Sequence, residues 1–183
     1  METTNVTNKP IKLFFQDEAR FGRISQPLSC WAKKGQRPTL PSQLVREYTY
    51  VYGSICPQTG EHVSLILPTM ETACFNLFLK EVSQRYPNNH IVMVCDGAAS
   101  HRSNDLCIPE EMTLIALPPY SPELNPQENV WKELRKEGFY NQLFETMEAL
   151  EATLLKVLPL FEKQLARLSK LTLYPWIKHA LNL

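Results

Sequence analysis

The chain has 183 residues, 44% of them apolar and 10% aromatic, which suits one globular domain with a sizeable core. Nineteen basic and nineteen acidic side chains cancel, so the whole-chain field lacks the strong positive bias that would by itself point to a polyanionic partner. The five cysteines are odd in number and never form a close C-x-x-C pair, which points to reduced, mostly buried thiols rather than a zinc site or a disulfide framework. No apolar stretch approaches the roughly 20 residues of a membrane span, and the start METTNVTNKP carries no signal-peptide pattern, so a soluble cytoplasmic protein is expected.

The first element is a strand over residues 11–17, where Ile11, Leu13, Phe15 and Asp17 share one face under a two-residue period. An acid therefore ends an apolar row. The following FGRISQPLSCWAKKGQRPTLP, rich in Gly, Pro and cations, reads as a loop with a short strand around Cys30 and Trp31 and a positive surface at Lys33, Lys34 and Arg37. Residues 47–56 and 62–67 are rich in β-branched and aromatic side chains around the turn signal Pro57-Gln-Thr-Gly60, which predicts a hairpin. From Thr72 to Arg85, Phe75, Phe78, Leu79 and Val82 recur at helical spacing, and Pro87 ends the run.

Ile91-Val-Met-Val-Cys95 is continuously apolar and of strand length, the pattern of a central strand covered on both faces, and it runs into Asp96-Gly97. Another short strand is expected over residues 112–117, followed by the proline-dense PPYSPELNP. Asn125-Pro126 reads as an N-cap followed by proline at the first helical position. The helix begun there carries Val130, Trp131 and Leu134 inward, with Glu128, Lys132 and Arg135 on another face. Residues 146–168 predict a long helix broken at Pro159, and residues 174–181 a short one.

This order of strands and helices predicts an α/β sheet, in which ligands gather where strand ends and helix starts converge. Asp17, Asp96 and Glu128 occupy such places. Three carboxylates brought together repel unless cations neutralise them, and hard oxygen ligands suit magnesium or manganese. Two such ions about 4 Å apart can activate a water or a 3′-hydroxyl and stabilise the leaving oxygen of a phosphodiester. Each acid also has a structural explanation. Asp17 can cap the turn after its strand, Asp96-Gly97 can be turn chemistry, and Glu128 can complete a capping-box-like arrangement or pair with Lys132. Periodicity leaves both readings open.

Five segments bear on the choice: FFQDEARFGR (14–23), WAKKGQRP (31–38), YGSICPQTGE (52–61), VCDGAASHRS (94–103) and, most specific, LPPYSPELNPQENVWKELR (117–135). In this order they resemble the catalytic domain of the insertion sequence 630 and mariner superfamily of DDE transposases, over nearly all of the chain. The resemblance implies a ribonuclease-H-like fold, with a mixed central sheet of about five strands flanked by helices, in a single domain spanning residues 1–183. It implies that Asp17, Asp96 and Glu128 are the catalytic and metal-binding triad, with two Mg2+ or Mn2+ ions bridged by Asp17. Thirty-one residues separate Asp96 from Glu128, somewhat fewer than in many relatives, and Gly97 stands where many have Asn.

Around the triad, Glu18 points to the opposite side of its strand and suits a supporting role. His101 can touch DNA or a water, or be an ordinary loop histidine. Asn125 caps the helix that carries Glu128. Lys132, Arg135, Lys33, Lys34 and Arg37 are candidate phosphate contacts or plain solvated cations. The implied function is metal-dependent DNA cleavage and strand transfer on transposon ends and target DNA, by a homodimer in the nucleoid of a prokaryotic cell. The alternative is a catalytically silent relic or a DNA-binding or dimerising regulator. The helix-turn-helix modules that such transposases carry before the catalytic part are not in this sequence, and the resemblance implies that an upstream reading frame supplies them.

Overall fold

A computed structural model describes residues 9–25, 27–29, 31–40, 42–98 and 103–182. Cys30 and His101, both singled out above, lie outside the described residues. The elements in chain order are β1 (Ile11–Ile24), β2 (Leu44–Ile55), β3 (His62–Leu67), α1 (Thr72–Arg85), β4 (His90–Cys95), β5 (Met112–Ala116), a 3-10 turn (Pro122–Leu124), α2 (Gln127–Lys136), α3 (Met147–Glu162), α4 (Leu165–Thr172) and α5 (Pro175–Ala180). The five strands form one mixed sheet in the order β3-β2-β1-β4-β5. β2 runs antiparallel to both β1 and β3, while β1, β4 and β5 run parallel. This is the expected sheet of about five strands flanked by helices.

The two faces of the sheet are covered separately. Alternation along β1 sends Phe14 to one face, where it joins Tyr52, Met93 and the buried stripe of α1, namely Phe75, Phe78, Leu79 and Val82. It sends Phe15, Ala19 and Phe21 to the other, against α2 through Val130, Trp131 and Leu134, and against α3 through Leu150, Leu154, Leu158 and Phe161. Among the described cysteines, Cys56, Cys74 and Cys95 are buried free thiols and Cys107 is exposed. No helix of the described residues is long and apolar enough to cross a membrane.

Three local expectations change. β1 does not stop at Asp17 but continues to Ile24, because β2 pairs with it as far as Ile24↔Leu44 and both Ala19 and Phe21 are buried. A local reading of FGR as loop misses hydrogen bonds supplied by a partner strand more than twenty residues away. Trp31 lies in no strand and is fully exposed. The long C-terminal helix is broken at residues 163–164 rather than at Pro159, which sits inside α3. The carbonyl that proline leaves without a donor belongs to Leu155, an exposed residue, so water can satisfy it.

Candidate active site

The register between the two central parallel strands aligns the first two acids. Phe15 is paired with Val94, and Asp17 and Asp96 each lie two residues further along their chains. With a side-chain period of two, both carboxylates emerge on the same face, side by side at the carboxyl end of β4. The third acid arrives through a tether. Asn125 Nδ2 donates to the backbone carbonyl of Gln16 at 2.8 Å, which pins the start of α2 next to Asp17. Asn125 Oδ1 accepts from the Gln127 backbone N–H at 3.1 Å, but the N-cap of α2 is Pro126 rather than the expected Asn125, so the helix begins one residue later than the sequence suggested and Asn125 bonds its first N–H from one position before the cap. Glu128 then stands in the first turn of α2, where the helix dipole favours a negative charge.

Asp17, Asp96 and Glu128 together line a cavity of about 570 Å³, walled by Gly97, Ala98, residues 117–122 and Asn125. Asp96 Oδ1 accepts from the Ala98 backbone N–H at 3.0 Å, closing a turn around its own carboxylate. Asp17 is held more deeply: the indole Nε1–H of the buried Trp131 donates to its Oδ2 at 2.9 Å. The space for that ring comes from Gly53, the residue paired with Asp17 across β1 and β2. A Cβ on Gly53 would overlap the Trp131 ring and the Gln127 amide. Gln127 is fully buried and hydrogen-bonded at 3.0 Å to Nε2 of His62, whose ring meets Trp131 edge-on with centroids 6.2 Å apart. Asp17 thus forms the floor of the cavity, backed by a packed layer of Gly53, His62, Gln127 and Trp131 that does not itself line it.

Electrostatics at this floor favour a cation. Burial, then the charges of Glu128 and Glu18, push the Asp17 carboxyl up from 3.8 to about 8, against the opposing Trp131 hydrogen bond. A divalent ion next to it would relieve the first two causes together. His62 is pushed the other way, from 6.5 to about 3, by burial and then by the Arg85 charge, so it is neutral at neutral pH and adds no positive charge behind Asp17. Among the described residues, no three His, Cys, Asp or Glu side chains stand close enough to hold one ion unaided. The triad instead rims a cavity with room for waters and phosphate oxygens, which normally complete a magnesium shell. An all-oxygen donor set, a carboxyl destabilised by its neighbours and free volume fit divalent metal ions.

Glu18, Lys132, Arg135, Lys33, Lys34 and Arg37 do not line the cavity. Glu18 faces away from the triad, beside Tyr52, whose hydroxyl it helps push above the usual range. Lys132 is exposed, whereas Arg135 is half-buried with its guanidinium over the Phe21 ring, 5.1 Å from the centroid. Lys33, Lys34 and Arg37 lie on the exposed loop between β1 and β2. Sequence reasoning took Trp131 for core and missed Gly53, His62 and Gln127. A glycine in the middle of a β-branched and aromatic strand was the one available signal, since such a glycine marks close approach of another group.

Comparison with known proteins places this geometry. Residues 12–151 match the family described as DDE superfamily endonuclease. The chain is 37% identical over 98 residues to an uncharacterized protein, y4pE/y4sA, of Sinorhizobium fredii (strain NBRC 101917 / NGR234), covering 53% of this chain and 73% of that protein. Its fold is similar to that of the Mos1 mariner paired-end complex with Mn, with a TM-score of 0.62 and 16% identity over 87% of this chain and 53% of that one. The corresponding complex with Mg gives 0.59 and 16% identity, over 93% and 55%. The separate catalytic domain of Mos1 mariner transposase gives 0.54 and 11%, over 87% of this chain and 78% of that one. The chain thus spans about half the length of the transposase chains in those complexes.

Proposed function

This chain belongs to the DDE superfamily endonucleases, and from that premise we propose that it is the catalytic domain of a DNA transposase, cutting and joining DNA strands with divalent metal ions held by Asp17, Asp96 and Glu128. One observation carries the reading: three acids from segments far apart in the chain line one cavity, with the most buried of them held in place by Trp131. Mg2+ or Mn2+, two ions in all, would neutralise the phosphodiester and lower the pKa of a bound water.

The chain's own groups set the stage for that chemistry. Trp131 restricts rotation of the Asp17 carboxylate, the Ala98 N–H does the same for Asp96, and Asn125 anchors the helix start from which Glu128 projects. Water serves as nucleophile for cleavage and a 3′-hydroxyl for joining, with no covalent enzyme intermediate. The partner is DNA, both transposon ends and target. Half the length of the Mos1 chains is unmatched, which supports assigning recognition of DNA sequence to helix-turn-helix modules outside residues 1–183. The working form is a homodimer on DNA in the nucleoid.

The test is nicking of supercoiled plasmid in Mn2+, with Mn2+ calorimetry in parallel. Wild type nicks and binds the ion, and Asp96→Ala lowers nicking more than about a thousandfold, the several kcal/mol expected when a metal ligand is lost. Undiminished nicking by Asp96→Ala would overturn the mechanism. Ion binding by a wild type that never nicks, even with DNA-reading modules supplied, would favour a silent relic or regulator.

A further inference from the structure

Tyr120 stands on the wall of the cavity with its side chain fully exposed. Its backbone is left-handed, with φ of 57°, a conformation that costs an aromatic residue energy and that glycine adopts freely. The surrounding chain enforces it. Pro118 and Pro119 precede it with their φ angles locked, the Ser121 hydroxyl donates to the Pro119 carbonyl at 3.3 Å, and the Leu124 N–H bonds back to Ser121 at 3.1 Å. The fold therefore holds a large apolar ring in solvent, on a strained backbone, at the mouth of the cavity that contains the three acids. Packing explains none of this, since the exposed ring buries nothing. Strain kept at a site's edge points to a ligand.

Resting on the transposase reading above, we propose that Tyr120 is a stacking platform for an unpaired nucleobase next to the phosphodiester bound at Asp17, Asp96 and Glu128. A flat exposed ring with prolines on both sides offers a face to any base, because every base has a π-surface, so the contact is indifferent to sequence. It requires a base that is unpaired, because a base inside a duplex has both faces covered. Tyr120 would then hold the strand at the point where it leaves the helix, and its preference is for frayed, forked or single-stranded DNA over continuous duplex.

The experiment uses the full chain in Ca2+ with a forked DNA carrying 5-iodouracil at the first unpaired position. Fluorescence anisotropy reports affinity and photo-crosslinking with peptide mapping reports the contact. Tyr120→Ala and Tyr120→Gly weaken fork binding about tenfold, whereas Tyr120→Phe, which keeps the ring, retains most of it. The crosslink maps to Tyr120. The melting temperature of Tyr120→Gly stays level or rises, because glycine relieves the left-handed backbone, so lost binding is not lost folding. Should Tyr120→Ala bind forks as well as a wild type that still nicks plasmid, or should the crosslink map elsewhere, the platform is refuted while the transposase reading stands. A wild type that neither binds forks nor nicks DNA overturns both.

Discussion

The floor and the mouth of the cavity are built on opposite principles. At the floor, Asp17 is hydrogen-bonded to a buried indole that lies where Gly53 leaves room, with Gln127 and His62 packed alongside. At the mouth, residues 118–120 form an exposed segment that ends on a left-handed tyrosine. The floor holds an unfavourable charge still, and its packing gives it no alternative arrangement. The mouth contributes exposed surface and strain instead of stability, which suits a part that meets a partner. A site that must gather like charges needs the first kind of construction beneath them, and one that must admit a strand needs the second around its opening.

That contrast can be broken at the floor. Trp131→Phe removes the donor to Asp17 and leaves a void beside Gly53, and Mn2+ affinity measured by calorimetry should fall between about tenfold and a hundredfold, the range found when a ligand's orienting partner is lost. A lower melting temperature is expected alongside it, because the smaller ring leaves a buried void, so ion affinity is measured well below the unfolding transition. An unchanged affinity would make the indole mere core. Next in size, Gly53→Ala forces a methyl into the Trp131 ring and the Gln127 amide, and urea unfolding should show a loss of about 2 kcal/mol, with weaker Mn2+ binding as a consequence. A stable Gly53→Ala protein with normal ion binding would mean that the floor is more compliant than its packing indicates.

The remaining effect is a pH dependence that vanishes at neutral pH. His62 has a folded pKa lowered to about 3 against 6.5 unfolded, so the unfolded chain takes up its proton first as pH falls. Its contribution is fully present above pH 6.5 and is lost progressively toward pH 3, by no more than about 1.4 kcal/mol per pH unit. His62→Gln should flatten that part of the stability profile relative to wild type. Asp17 and the surface carboxylates are common to both proteins and cancel in the difference. Parallel profiles would show that His62 is protonated in the folded state or exposed to water.

Much of this was legible in the chain and some of it was not, for reasons that differ by residue. α1 covers the stretch that its apolar spacing predicts, Thr72 to Arg85, because a helix on a sheet is specified by its own stripe. β4 and the Asp96 that follows it were visible for a similar reason, a short apolar run ending at Asp-Gly. Asn125 was read as the N-cap that Pro126 holds one residue later, and its bond to the Gln16 carbonyl joins residues far apart in the chain. Arg135 was grouped with the solvent face and instead lies over Phe21, because nothing local announces an aromatic ring on another element. Trp131 looked like any core aromatic, and its polar edge became meaningful only when Asp17 was found beside it.

By itself the sequence determined what depends on near neighbours and on recognisable motifs: the α/β order of elements, the start of α2 just after Asn125-Pro126, the membership in a family of endonucleases and the three acids to watch. The tertiary structure decided what depends on distant segments meeting. It set the Phe15–Val94 register that aligns Asp17 with Asp96, the fit of Trp131 against Gly53, and the burial that raises the Asp17 carboxyl and silences His62. The physical reason is common to all three. Strand register, close packing and desolvation are properties of surfaces brought together by folding, and no stretch of chain carries them before its partner arrives.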